Sequence, residues 1–261
     1  MSTHAQLLQQ RSFGQVSLGV ERGGVAKLRE MGAARLRIPA GSHQAILINT
    51  GGGIAGGDHF EFDFHVGLDA SLTLTSQSAE RVYRTLGPPA KIETHLVAQA
   101  GSELFWLPQE TILFDGAALQ RNYTVALAEN ARFLAVEPVI LGRSERGEKI
   151  ETLTLQEKWR IQRGGKLLHA ENLHLTAPLP RTKAAIGSAG GFATFVYIAP
   201  DAPKYLDAVR AALGPDGAAS AWNGKLVGRI LAQDGFHLRK RLIPALCALI
   251  GSESLPKSWT F

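Results

Sequence analysis

Residues 45–85 read AILINTGGGIAGGDHFEFDFHVGLDASLTLTSQSAERVYRT. The apolar run Ala45-Ile46-Leu47-Ile48 ends at Asn49-Thr50 and enters Gly51-Gly52-Gly53-Ile54-Ala55-Gly56-Gly57-Asp58, in which five of eight residues are glycine. So much glycine in one loop signals either backbone angles that other residues avoid or a close approach of another group to the main chain. Beyond it, Phe60, Phe62, Phe64 and Val66 alternate with His59, Glu61, Asp63 and His65. This is the period of a strand with one buried and one wetter face. A second strand, Leu72 and Leu74 between Thr73 and Thr75, leads to the polar cluster Ser76-Gln77-Ser78-Ala79-Glu80-Arg81.

Gly51-x-Gly53-x-x-Gly56 formally matches a dinucleotide fingerprint. That fingerprint needs a helix to open at the third glycine, so that its amide end holds the pyrophosphate. Here an alternating strand follows, and no Gly-Lys-Ser/Thr completes a phosphate loop. A structural turn is the preferred reading. A nucleotide-dependent enzyme using Gly51–Gly57 is kept as the alternative, with a stand-alone metal-binding protein as a third.

Working outward, a strand, a small-residue turn and a second strand recur roughly every 30 residues. The turns are Gly67–Ser71, Ala98–Ser102, Glu129–Ala131 and Arg163–Gly165, each followed by an apolar residue: Leu72, Leu104, Phe133 and Leu167. Hairpin-like units of this size cannot bury an apolar face alone, which predicts stacking into a continuous core. The expected fold is mainly β: a layered, β-helix-like body of stacked hairpins over about 12–200, with two α-helices near the C-terminus in about 201–261. The whole of 1–261 reads as a single domain. If the units stack in register, the loops at Glu80-Arg81, Gln109-Glu110, Glu137-Pro138 and Glu171-Asn172 fall at one end or edge. Asp201 is placed as the N-cap of a helix through Tyr205, Val209 and Leu213. Asp234 is placed as the cap of a second helix that carries Leu238, Leu242, Leu246 and Leu249 and is kinked by Pro244.

A chain of 261 residues, 45% hydrophobic and 20% charged, is long enough to bury a large core. The net charge of +5 is scattered, with Arg239-Lys240-Arg241 the only basic run. A nucleic-acid partner would call for a basic stripe with interleaved aromatics, so none is expected. One cysteine, Cys247, cannot form an internal disulfide or a thiolate zinc cluster. The polar amino terminus and the lack of an apolar run near the ~20 residues of a membrane span lead to the expectation of a soluble, cytoplasmic protein with no membrane partner.

His59, Glu61, Asp63 and His65 share one face and offer nitrogen and oxygen ligands, although a solvated strand face is the simpler explanation. His169 and His174 should point to opposite faces. No Gly-x-Ser-x-Gly elbow or other activated nucleophile appears, so no catalytic residue is assigned and no enzymatic activity is expected. Glu80-Arg81 reads as a partly buried ion pair that pins the glycine loop, and Asp58 as a turn residue.

NTGGGIAGGD, TSQSAERVYR, LPQETILFDGA at 107–117, ILGR at 140–143 and LPKSW at 255–259 resemble, in order, the signature blocks of the urease accessory protein UreD (UreH) family. Gly52, in place of alanine, and Ser144-Glu145-Arg146-Gly147-Glu148 depart from its pattern. The resemblance implies a non-enzymatic urease maturation chaperone with no cofactor of its own. It implies binding to the urease apoprotein and to UreF-type and UreG-type accessory proteins, and help in inserting nickel, in family members through an internal water-filled path. Asp58, Glu80, Glu137 and Glu171 are then the candidates to line such a path, because a metal in transit needs weak oxygen ligands.

Overall fold

A computed structural model describes residues 11–143, 147–182 and 185–259. The polar amino terminus up to residue 10 and the departure at Ser144–Arg146 lie outside the described residues. The strands are β1 (Phe13–Glu21), β2 (Gly24–Gly32), β3 (Ala34–Arg37), β4 (Gln44–Asn49), β5 (His59–Val66), β6 (Ser71–Ser76), β7 (Glu80–Val82), β8 (Ala90–Ala98) and β9 (Glu103–Leu107). They continue with β10 (Thr111–Leu113), β11 (Ala118–Leu127), β12 (Arg132–Leu141), β13 (Thr154–Arg163), β14 (Lys166–Thr176), β15 (Gly191–Ile198), β16 (Gly217–Trp222) and β17 (Lys225–Ala232). Helices α1 (Leu206–Leu213) and α2 (Gly235–Ile250) lie in the last quarter of the chain.

Two sheets face each other. One has the order β14-β13-β11-β8-β5-β1-β2 and the other runs β16-β17-β15-β12-β9-β6-β4-β3. In the first, β1, β5, β8, β11 and β13 are parallel neighbours; in the second, β4, β6, β9 and β12 are. The turns after β5, β8 and β11 therefore carry the chain across from one sheet to the other, and each repeat is one coil of a β-helix. A short third wall completes each coil: Ile54 bridges Val82, β7 pairs with β10, and β10 pairs with β12, all in parallel. The expected body of stacked, β-helix-like layers is what forms.

The fourth unit departs from the coil. Gly164 and Gly165 both have positive φ (55° and 76°), the requirement of a two-residue hairpin turn. So β13 turns back antiparallel to β14 within one sheet instead of crossing. His169 and His174 then differ in exposure as the spacing predicts, His169 half-buried and His174 exposed.

The alternation of β5 is realised: Phe60, Phe62, Phe64 and Val66 are buried between the sheets with Val16, Leu18, Leu96 and Leu119. A second core lies on the outer face of the other sheet. There Phe105, Leu107, Phe195 and Tyr197 meet Val209 and Leu213 of α1, and Leu238, Leu242 and Leu246 of α2. Asp234 caps α2, accepting from the His237 N–H at 2.9 Å, and the helix runs on through Pro244. Asp201 makes no side-chain cap; it precedes a 3-10 turn over 202–205 and accepts from the Tyr205 hydroxyl at 3.2 Å. Trp259 is fully buried and its indole N–H donates to the Leu107 carbonyl at 2.9 Å, tying the end of the chain to β9.

Candidate functional site

The glycine loop leads straight into β5 at His59, so it opens no helix. Close neighbours fix Gly53, Gly56 and Gly57, whereas Gly52 has open space and a positive φ of 74°. A Cβ on Gly56 would lie 1.6 Å from Thr85 Oγ1, and one on Gly53 2.3 Å from the Tyr83 ring. The loop backbone is pinned by Asn49, whose Nδ2 donates to the Gly53 carbonyl at 3.0 Å and whose Oδ1 accepts from the Gly51 N–H at 2.9 Å. Asp58 is buried and closes the turn, accepting from the Ala55 N–H at 2.8 Å and the Ser12 N–H at 2.7 Å.

Beside this loop, between the two sheets, lies a cavity of about 430 Å³. The third wall builds it: β7 and β10 stack in register, Glu80 beside Thr111, and Thr111 beside Val139 of β12. Glu80 and Glu137 are thereby brought onto one cavity, together with Gln109, Arg121 and Tyr123. Glu80 is half-buried and accepts from Asn49 Nδ2 at 3.2 and 3.3 Å. It does not pair with Arg81: the Arg81 side chain is exposed, and that residue holds the loop through its carbonyl, which accepts from the Ile54 N–H at 2.7 Å. Burial outweighs the Asn49 hydrogen bond and pushes the Glu80 carboxyl up to about 7.

Deeper in the cavity, Arg121 is buried between two carboxylates, 2.6 Å from Glu137 and 2.5 Å from Glu157, with Thr111 Oγ1 at 2.9 Å. Glu137 also accepts from Trp106 Nε1 at 2.7 Å and the Tyr123 hydroxyl at 2.5 Å. Glu157 accepts from Trp159 Nε1 at 2.9 Å. Burial raises the Glu137 carboxyl, Arg121 pulling the other way. The Arg121 Nε has no partner among the described residues.

Two of the four sequence candidates, Glu80 and Glu137, line the cavity. Asp58 belongs to the turn, and Glu171 lies on β14, 2.6 Å from Arg229 and 3.7 Å from His169. Glu171 is separated from the others because its unit is the one that folds back. No set of three His, Cys, Asp or Glu side chains is arranged for a metal ion among the described residues, the His59–His65 face included. Arg121 and Glu157 escaped the sequence reading. Their signal was parity: each takes a position where Leu119, Tyr123 and Val125, or Leu155, Trp159 and Ile161, point inward.

Fold and site together define a β-helical body capped by helices, with acidic groups gathered on an internal cavity and a glycine loop that shapes the backbone beside it. The family model described as UreD urease accessory protein matches residues 13–260. A urease accessory protein UreD of Rhizobium leguminosarum bv. viciae is 42% identical over 99% of this chain and 97% of its own. Those of Rhizobium etli and Sinorhizobium medicae are 43% identical (90% of this chain, 89% of theirs) and 40% identical (all of both chains). The chain belongs to the UreD urease accessory protein family, and that membership supports a role in urease maturation.

Proposed function

We propose that this chain is a non-enzymatic maturation scaffold that binds the urease apoprotein together with UreF-type and UreG-type accessory proteins and assists nickel insertion, in the cytoplasm. The observation that carries this reading is the Glu80 carboxyl on the cavity wall, which accepts from the Asn49 amide and has no ion pair among the described residues. Such an oxygen ligand binds a divalent cation weakly and releases it readily. Its raised proton affinity makes protons compete with the metal near neutral pH. Nickel is cargo here, and Glu137, already satisfied by Arg121, Trp106 and Tyr123, offers a second oxygen further in. No helix of the described residues is long and apolar enough to cross a membrane.

The test is reconstitution from purified chain, apo-urease, the two accessory proteins and nickel, with urease activity as readout. Glu80→Ala should still co-purify with its partners and yield several-fold less active urease. Equal activation by the variant would refute the role given to Glu80, and failure of the unaltered chain to join any partner would refute the scaffold.

A further inference from the structure

The two ends of the β-sandwich are finished differently. At one end β14 and the β16–β17 hairpin close on each other: Lys225 donates to the Leu168 carbonyl, Arg163 to the Asn223 carbonyl at 3.2 Å, and Arg229 pairs with Glu171. Among the described residues the other end is open: its last strand, β2, has β1 as its only hydrogen-bonded strand neighbour there, and all nine of its residues are exposed. Opposite it, β3 has four residues, too few to cover it.

An exposed edge of this length is a template for another strand unless charge or covering blocks it. The register with β1 sorts its side chains. Val25 and Leu28 sit opposite Val20 and Leu18, so they extend the core face beyond the sandwich, 50% and 44% exposed. Lys27 and Arg29 sit opposite Gly19 and Ser17 on the other face, and neither has an ion pair among the described residues. Residues 21–37 carry five basic side chains against two acidic ones, a net of +3 out of the +5 of the entire chain.

We infer that β2 is a docking edge for an extended segment of a partner polypeptide that alternates acidic and apolar residues. The added strand would take its hydrogen bonds from the free edge, set its acidic face beside Lys27 and Arg29, and lay its apolar face over Val25 and Leu28. The inference builds on the scaffold reading only in supposing that such a segment belongs to one of the maturation partners.

The experiment follows amide hydrogen exchange at Gly24–Gly32 in the full chain, alone and with a capped nonapeptide of alternating Glu and Val. Exchange across β2 should slow at least tenfold with that peptide. It should be unchanged with the Lys/Val counterpart, and the effect should vanish in Lys27→Glu/Arg29→Glu, whose exposed sites leave the fold intact. No slowing with the acidic peptide overturns the inference. So does protection in the isolated chain that disappears on removal of residues 1–10, or that grows with protein concentration, since the edge would then be covered by its own chain or a second copy. A second arm repeats the measurement with apo-urease and with a UreF-type protein. A complex that forms and leaves β2 unprotected overturns the docking edge while the scaffold stands. Absence of any complex, with the peptide still protecting β2, overturns the scaffold alone.

Discussion

Glu80 shows how much one half-buried carboxyl does in this molecule. Its proton affinity is raised in the folded chain, from an ordinary 4.5 to about 7, so the folded state holds a proton that the unfolded state has released. Its stabilising contribution is therefore complete below about pH 4.5 and is lost as pH rises through about 7. Replacing it with glutamine should leave the melting temperature unchanged at pH 4.5 and raise stability by about 1–3 kcal/mol at pH 8. Thermal melts of both chains across that range check the sign. Arg121 works the other way. Taking it to methionine strands Glu137 and Glu157 in the core, and denaturant unfolding at pH 7 should show a loss of about 3–5 kcal/mol.

Among the elements, the glycine loop and the carboxyl-terminal tie are the joints on which the site hangs. A Cβ at Gly56 meets Thr85 Oγ1 and, at 2.9 Å, the Pro88 carbonyl. Gly56→Ala should cost about 1–3 kcal/mol by overpacking, with part recovered in the double variant with Thr85→Gly, read by denaturant unfolding. Trp259→Ala empties a fully buried site that holds β9 to the helices. The expected loss is about 3–5 kcal/mol, together with faster amide exchange in α2.

The legibility of these elements follows the physics. β5 was readable because its alternation is strict, and α2 because Asp234 and its apolar stripe agree. β16 went unread although Asn223-Gly224, both with positive φ (50° and 69°), is the short-hairpin signal that would have revealed it. The same signal at Gly164-Gly165 separates the hairpin of the fourth unit from the three longer turns that cross between sheets. The Arg121–Glu157 pairing joins residues 36 apart through parallel register, which no local pattern encodes.

At the scale of the whole molecule, three parallel walls stack so that polar loop ends from successive coils converge on one interior cavity, while the helices seal the outer face of one sheet. Such a body suits the proposed scaffold: its stacked walls hold a cavity, and the glycine loop beside it, in shape. The most direct test of that claim is to block the cavity without removing any charge. Ala79→Trp places an indole among the lining residues beside Glu80. In the reconstituted system with apo-urease, UreF-type and UreG-type proteins and nickel, the blocked chain should assemble normally and deliver little urease activity. Full activation by the blocked chain, at unaltered complex yield, would contradict the account.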